Sequence, residues 1–329
     1  MTIHNKGAVA DTIFRLTLAG KGILACDESP RSMGRRLEGL SIPPNFEMRK
    51  KFFSMLFEVE GLGQSICGVI LYEDMLSNEM GASGIKEALD AQNILIGVRA
   101  DQGIGPFPGY PGLGLTAGLD SLDARLQGYV AAGARFVKWR AAFSGTEVDG
   151  ADLARRANAV NLALYALAAV ERNLVPIVEI EIEMEGRHTL VECESATKRA
   201  LSELFQTLES YQVDCGSLIL KTNFIVPGKE YSEEFDLSKT VDATVSTLEE
   251  VVPTNVPLIA FLSGGQDADT SVGLLRLLGK RQTPWSTSFS FGRALWMAPL
   301  TMWAGKESNR AVAAQELARV AKQCGEAVA

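Results

Sequence analysis

The chain has 329 residues, a length that suits either two ordinary domains or one large barrel. Hydrophobic residues make up 47% of it and can fill a sizeable core, which excludes a disordered chain. The formal net charge of −8 argues against a general affinity for nucleic acid or anionic membranes. A local cluster of lysines and arginines could still bind an anionic small molecule, because distant surface charge is screened.

Histidine is scarce, since the sequence holds only His4 and His188. A Ser-His-Asp triad or a multi-histidine metal site is therefore nearly excluded, and we expect neither a metal nor another cofactor. The five cysteines are scattered and form no CxxC pair, which favours a reducing compartment. The N-terminal segment lacks the apolar run of a signal peptide, and no apolar stretch is long enough to cross a bilayer. We therefore expect a soluble cytoplasmic protein.

Short apolar segments recur along the chain, each followed by a polar or glycine-bearing loop. They predict eight strands, at residues 22–26, 67–71, 93–98, 135–139, 175–182, 217–221, 257–263 and 285–290. Between most of them, helical periodicity predicts helices at residues 49–59, 122–132, 151–170, 196–211 and 238–251. Strands that alternate with helices imply parallel pairing through right-handed crossovers.

Eight such units over about 300 residues predict an α/β protein built as a single (β/α)8 TIM barrel. A doubly wound sheet in two domains is the alternative, but it would need a linker. The only Gly/Pro-rich stretch, residues 103–118, falls between the third and fourth strands, and we interpret it as a long loop of one domain. Residues 1–329 are thus expected to form one barrel domain with an N-terminal helical segment and a short C-terminal helix.

Charged and small polar residues lie at the C-terminal ends of the predicted strands, where barrels place their active sites. They are Asp27, Arg99, Lys138, Arg140, Glu179, Glu181, Lys221, the run Ser263-Gly264-Gly265, and residues 290–293. If the eight strands are assigned correctly, these residues converge on one cleft.

Lys221 closes an apolar strand, a position at which a lysine is usually structural, with a packed stem and its ammonium group in solvent. Burial and a second cation such as Lys138 would instead lower the pKa of Lys221. The neutral amine could then attack a ketone and form a Schiff base. Because an iminium withdraws electrons, the neighbouring carbon–carbon bond can break without a metal.

Glu179 and Glu181 are two residues apart on one strand and therefore face the same way. Carboxylates beside lysines suit proton transfer, with the pKa of one member raised. A buried salt-bridge network with Lys138 is an equally good interpretation, and the two can hold together.

Two candidate anion sites flank the lysine. In the first, Gly264 and Gly265 let backbone N–H groups approach an anion, and Arg293 can add charge-assisted hydrogen bonds. The second comprises Ser29, Ser32 and Arg36, with Arg99 and Arg140 in support. For the second, a capped helix with a solvated arginine is the alternative. Two anion sites suggest a substrate that is phosphorylated at both ends.

The sequence resembles the class I fructose-bisphosphate aldolases, the metal-free Schiff-base family. The matching segments occur in family order: GKGILACDESPRSMGRRL (20–37), FVKWR (136–140), VPIVEIEI (175–182), LILKTN (218–223), FLSGGQ (261–266) and FSFGRAL (289–295). The resemblance implies a (β/α)8 barrel assembled as a homotetramer. It implies reversible cleavage of fructose 1,6-bisphosphate to dihydroxyacetone phosphate and glyceraldehyde 3-phosphate, in glycolysis, gluconeogenesis or the Calvin cycle.

The resemblance also implies residue roles. Lys221 matches the Schiff-base lysine, and Glu179 matches the general acid/base for carbinolamine dehydration and for the C4 hydroxyl proton. Asp27, Lys138 and Glu181 match the residues that position this hydroxyl and support iminium chemistry. The ketone-side phosphate site would comprise Ser263, Gly264, Gly265, Ser290, Gly292 and Arg293, and the aldehyde-side site Ser29, Ser32, Arg36, Arg99 and Arg140.

The sequence departs from the family pattern at several positions. Arg99 stands where the family usually has lysine, and Ile180 and Thr222 stand where it often has proline. Cys26 replaces a small residue, which we interpret as packing. The last tyrosine is Tyr231, so the C-terminal tyrosine that favours fructose bisphosphate in many members has no match.

These departures leave the substrate open. Another ketose bisphosphate, such as sedoheptulose 1,7-bisphosphate, is the alternative substrate. A transaldolase-like reaction would need only one phosphate site. A non-enzymatic phosphometabolite-binding protein would be expected to have lost the nucleophile or the acid/base group.

Overall fold

The computed structural model describes residues 6–76, 82–232 and 235–329. Eight of its strands close into a parallel barrel. They are β1 (Gly22–Cys26), β2 (Ile66–Leu71), β3 (Leu95–Arg99), β6 (Phe136–Phe143), β7 (Val175–Ile182), β8 (Ile219–Asn223), β9 (Leu258–Leu262) and β10 (Ser286–Phe291). Around the barrel their order is β1, β10, β9, β8, β7, β6, β3 and β2, so the predicted TIM barrel is confirmed.

Helices surround this barrel. Those in the described ranges are α1 (Lys6–Leu16), α2 (Pro30–Gly39), α3 (Phe46–Phe57), α4 (Ala82–Ala91), α5 (Leu122–Ala131), α6 (Ala151–Glu171), α7 (Leu190–Ser210), α8 (Leu237–Val251), α9 (Ala268–Leu278), α10 (Arg293–Trp303) and α11 (Arg310–Ala327). The last helix, α11, has 18 residues and is longer than the short C-terminal helix that we expected. Within the described ranges, no helix combines the length and apolar character needed to span a membrane.

The segment interpreted as a long loop contains structure of its own. Strands β4 (Ile104–Pro106) and β5 (Gly114–Thr116) pair antiparallel as a two-stranded sheet. The side chain of Asn158 on α6 stabilises this hairpin by accepting from Thr116 N–H and donating to the carbonyl of Gly114. Since Asn158 lies 42 and 44 residues after its two partners in the chain, the local Gly/Pro content could not reveal the hairpin.

Several element boundaries also differ from the predictions. Strand β6 continues four residues past Trp139, and β8 continues two residues past Lys221. Helix α7 begins six residues before the predicted start, because Thr189 and Glu192 form a capping box there.

Two apolar clusters hold the barrel together. The smaller fills its interior and includes Ile23, Phe136, Ile177 and Ile219, together with Leu16 from α1. The larger lies between the strands and the outer helices. The interior cluster occupies the N-terminal part of the barrel, which leaves the C-terminal strand ends to polar residues.

Candidate active site

A cavity of about 750 Å³ opens at the C-terminal ends of the barrel strands. It is lined by the predicted site residues Asp27, Ser29, Ser32, Arg36, Arg99, Lys138, Arg140, Glu179, Glu181, Lys221, Ser263, Gly264, Ser290, Gly292 and Arg293. Gly265, the remaining predicted site residue, lies beside this lining. The fold therefore brings the strand-end residues together in one cleft, as expected.

The alternation of side chains along the strands explains this convergence. Ile177 on β7 points into the interior cluster, so Glu179 points the same way one step nearer the mouth. Ile219 and Lys221 repeat the pattern on β8. Because Glu179 pairs in register with Lys221, the two side chains meet.

Four charged groups form a buried cluster at the base of the cavity. Lys138 Nζ lies 2.6 Å from Asp27 Oδ2 and 3.0 Å from Glu179 Oε2. Lys221 Nζ lies 3.3 Å from Glu179 Oε1, and only 5% of its side chain is exposed. A purely structural lysine would place its ammonium group in solvent. The ammonium group of Lys221 instead lies against a carboxylate.

The charges in this cluster keep both carboxyl groups ionised. Burial opposes ionisation of Asp27, but Lys138, Lys221 and Arg99 outweigh it and lower the pKa of Asp27 to about 2. Burial likewise opposes ionisation of Glu179, and Lys138 and Lys221 lower its pKa below the ordinary value. Glu179 is therefore not the member of the Glu179/Glu181 pair whose pKa is raised, because two cations contact it. The pKa of Lys138 is raised, since Asp27 and Glu179 overcome the effect of its burial.

The predicted aldehyde-side arginines are each paired with a carboxylate. Arg99 Nη2 lies 2.6 Å from Asp101 Oδ1, Arg140 Nε lies 2.5 Å from Glu181 Oε2, and Arg36 donates to both oxygens of Glu28 at 2.7 Å. An anion entering here would therefore share these arginines with the carboxylates.

The start of α2 carries the two predicted serines. Ser29 Oγ caps the helix by accepting from Ser32 N–H, so the capped-helix alternative describes this serine correctly. The solvated arginine of that alternative is not observed, because Arg36 is half-buried and bound to Glu28.

The loops after β9 and β10 form the opposite side of the cavity. Gly264 and Gly265 both have positive φ, at 57° and 83°, which a residue with a side chain adopts only with strain. Gly292 precedes the first turn of α10, which begins with Arg293. Ser290 is a buried residue of the cavity lining, and within the described part of the chain its hydroxyl has no hydrogen-bond partner.

Sequence reasoning missed three residues of this region, namely Asp101, Trp296 and Glu28. Asp101 is buried and accepts from Arg99, from Gly103 N–H and from the backbone N–H of Arg140. Trp296 donates its indole N–H to the carbonyl of Ala25, and the guanidinium of Arg36 lies 5.8 Å from its ring centre. The position of Asp101 two residues after a strand-end arginine was a signal for it, whereas Trp296 and Glu28 meet Arg36 only in the folded chain.

The histidines and cysteines lie elsewhere or are buried. His4 lies outside the described residues, and His188 is buried in the loop before α7. Cys26 faces the apolar cluster between barrel and helices, and burial together with Asp27 raises its pKa, which agrees with a packing role. Over residues 6–76, 82–232 and 235–329, no three histidine, cysteine or acidic side chains are grouped as metal ligands.

Known proteins resemble this chain over most of its length. Residues 8–329 match the family model described as "Glycolytic: Fructose-bisphosphate aldolase class-I". Fructose-bisphosphate aldolase B of Bos taurus is 35% identical over 315 residues, covering 94% of this chain and 86% of the relative. Cytosolic fructose-bisphosphate aldolase 6 of Arabidopsis thaliana is 38% identical, covering 88% and 82%.

A solved structure shows the same likeness in three dimensions. Fructose-bisphosphate aldolase of Plasmodium falciparum, crystallised with TRAP and a small-molecule inhibitor, superposes with a TM-score of 0.92. It is 35% identical, and the match covers 98% of this chain and 94% of that one. The chain therefore belongs to the class-I fructose-bisphosphate aldolase family, whose members are lyases.

Proposed function

We propose that this protein reversibly cleaves fructose 1,6-bisphosphate to dihydroxyacetone phosphate and glyceraldehyde 3-phosphate through a Schiff base on Lys221. The observation that carries the proposal is the buried contact between Lys221 Nζ and Glu179, at the base of a cavity with cations on both sides. No metal takes part in this mechanism.

In the first half of the reaction, Lys221 becomes covalently attached to the substrate. Glu179, ionised and 3.3 Å away, accepts a proton from the lysine ammonium. The neutral amine then attacks the ketone carbon, and a proton passes from the attacking nitrogen to the carbonyl oxygen to give a neutral carbinolamine. Glu179 returns its proton to the departing hydroxyl, so water leaves and the iminium forms.

In the second half, the carbon–carbon bond breaks. A carboxylate removes the proton from the C4 hydroxyl, the C3–C4 bond cleaves, and its electron pair passes to the iminium to form an enamine. We propose Glu179 for this role, with Asp27 as the second candidate, because both carboxylates contact Lys138 at the base of the cavity. Lys138 remains a fixed cation, since its raised pKa keeps it protonated. Protonation of the enamine and hydrolysis release dihydroxyacetone phosphate.

The two anion sites would hold the substrate ends. We assign the ketone-side phosphate to the loops around Gly264, Gly292 and Arg293, with the unpartnered hydroxyl of Ser290 nearby. The aldehyde-side phosphate would contact Ser29, Ser32, Arg36, Arg99 and Arg140. Comparing kcat/KM for fructose 1,6-bisphosphate and sedoheptulose 1,7-bisphosphate will decide between the two ketoses.

We also propose a cytoplasmic homotetramer that acts in glycolysis. The family model is described as glycolytic, and the Arabidopsis relative is named as cytosolic. Light scattering of the purified protein would then give the mass of four chains, and the mass of a single chain would contradict the assembly.

The central step is tested by trapping the Schiff base. The protein is incubated with dihydroxyacetone phosphate, reduced with borohydride and digested for mass spectrometry. We expect the adduct on Lys221 alone, and in Lys221→Met we expect no adduct and a fall in kcat of at least about a thousandfold.

The matched control is Lys322→Met, which removes an exposed lysine on α11 and should trap as the unaltered protein does. An adduct on another lysine, or one that persists in Lys221→Met, contradicts the proposed function.

A further inference from the structure

Lys229 lies outside the short motif segments quoted under Sequence analysis, and the proposed mechanism does not use it. It follows β8, and its backbone N–H donates to the carbonyl of Met184 at 2.8 Å. The N–H groups of Gly228 and Glu230 donate to His188 and Gly186 in the same way. These three bonds tie this segment to the residues after β7 and hold the backbone of Lys229 at the barrel mouth.

The amine of Lys229 lies over the loop after β9. A Cβ atom added at Gly265 would be 2.9 Å from Lys229 Nζ and 3.4 Å from a guanidinium nitrogen of Arg293. The ammonium group of Lys229 and the guanidinium of Arg293 thus flank the same backbone position. They lie closer together than the Debye length, which is about 8 Å at physiological ionic strength. The missing side chain of Gly265 leaves the space between them open.

The present partner of Lys229 is a weak one. Glu185 Oε1 lies 3.5 Å from Lys229 Nζ, and the side chains are 44% and 76% exposed for the lysine and the glutamate. Exposed ion pairs of this kind contribute little, because water screens them. A phosphate dianion, which also has Arg293 beside it, would therefore compete successfully for the lysine.

We propose that Lys229 is a further binding residue for the ketone-side phosphate, which it contacts together with Arg293 across Gly265. This inference rests on the proposed function, which assigns that phosphate to this loop. Glu185 competes with the phosphate for the same ammonium group. The contribution belongs to binding, because Lys229 lies at the rim and does not reach the cluster around Lys221.

The test compares KM for two substrates in one variant that is expected to raise it, one that is expected to leave it nearly unchanged and one that is expected to lower it. Fructose 1-phosphate carries only the ketone-side phosphate, so Lys229→Gln should raise KM for it and for fructose 1,6-bisphosphate alike, by roughly three- to tenfold. Lys229→Arg, which keeps the charge, should stay within about twofold of the original KM. Glu185→Gln should lower KM, because the lysine loses its competing partner.

Two further measurements show whether a negative result overturns the assignment of Lys229 or the proposed function itself. Lys322→Gln removes a distant exposed cation, and a rise in its KM equal to that of Lys229→Gln would overturn the assignment as a general charge effect. Trapping with dihydroxyacetone phosphate tests the proposed function separately. If the unaltered protein forms the Lys221 adduct and Lys229→Gln forms it at the same half-saturating concentration, only the Lys229 assignment is overturned. If the unaltered protein forms no adduct, the proposed function itself fails.

Discussion

At the scale of single residues, the central feature is a set of buried charges that compensate one another. Asp27, Lys138, Glu179 and Lys221 are all buried, and an isolated charge there would be costly. Each lies within ion-pair distance of an opposite charge. The arrangement keeps Glu179 ionised as a base and Lys138 protonated as a fixed cation.

The contribution of Asp27 to the free energy of unfolding depends on pH and can therefore be measured. Its pKa falls from 3.8 to about 2 in the folded protein, so its ionised form stabilises the fold by about 2 kcal/mol at neutral pH. Because the folded pKa is the lower one, this contribution is complete above pH 4 and is lost as the pH falls towards 2.

Urea unfolding of the original protein and of Asp27→Asn between pH 2 and pH 6 tests this prediction. The difference in the free energy of unfolding between the two proteins should shrink steadily below pH 4. A difference that stays constant over that range would contradict the lowered pKa.

Arg99 stands where the resemblance to the family led us to expect lysine. Its guanidinium donates from two nitrogens to Asp101, which is itself held by two backbone N–H groups. A lysine offers a single charged nitrogen and could not form this fork. The larger cation is thus held by a carboxylate that also contacts the backbone of β6.

At the scale of elements, side chains alternate between the two faces of each strand. On the face that points into the barrel, apolar residues lie towards the N-terminal end of the strand and charged residues towards its C-terminal end. This order is visible in the sequence, because the period of a strand is two residues. The ends of the elements were less predictable. Residues that continue β6 and β8 are paired with β7 and β9, and such pairing cannot be inferred from one segment alone.

Close packing inside the barrel depends on a glycine in β3. Gly97 pairs with Phe136, and a Cβ at this position would lie 2.1 Å from the phenyl ring, where no side-chain atom fits. Gly97→Ala should therefore lower the free energy of unfolding by about 3 kcal/mol.

The control for this prediction is Gly128→Ala on α5, where the added methyl group meets no atom within 4 Å. Alanine favours the helix there, and stability should rise by about 0.5–1 kcal/mol. Urea unfolding measures both variants, and equal stabilities would show that the packing inside the barrel is looser than described.

At the scale of the whole molecule, the two apolar clusters enclose most of the thiols. Cys26, Cys67, Cys193 and Cys324 are buried, and only Cys215, between α7 and β8, is partly accessible. Burial raises the pKa of Cys67 and Cys324 to about 12, which further reduces their thiolate content.

Alkylation with iodoacetamide at pH 8 should therefore modify Cys215 first, while the other four react only after denaturation. Peptide mapping over time gives the order of modification. Labelling of Cys26 or Cys67 at the rate of Cys215 would mean that the barrel opens readily in solution.

The sequence alone determined the alternation of strands and helices, the barrel, and the residues at the strand ends, because each follows from local periodicity and from motif segments. It did not predict the hairpin between β4 and β5, whose partner is a distant helix. Nor did it show that Arg36 is held by Glu28 and Trp296, that Asp101 holds Arg99, or that Lys229 lies over Gly265. Only the tertiary structure decided these contacts. Barrel closure brings Trp296 to Arg36 and Gly265 to Lys229, which are far apart in the chain. Glu28 and Asp101 are near their arginines in sequence, but the fold of the loops at the strand ends fixes which side chains meet. The lowered pKa of Glu179 has the same origin, because the two cations that cause it come from neighbouring strands.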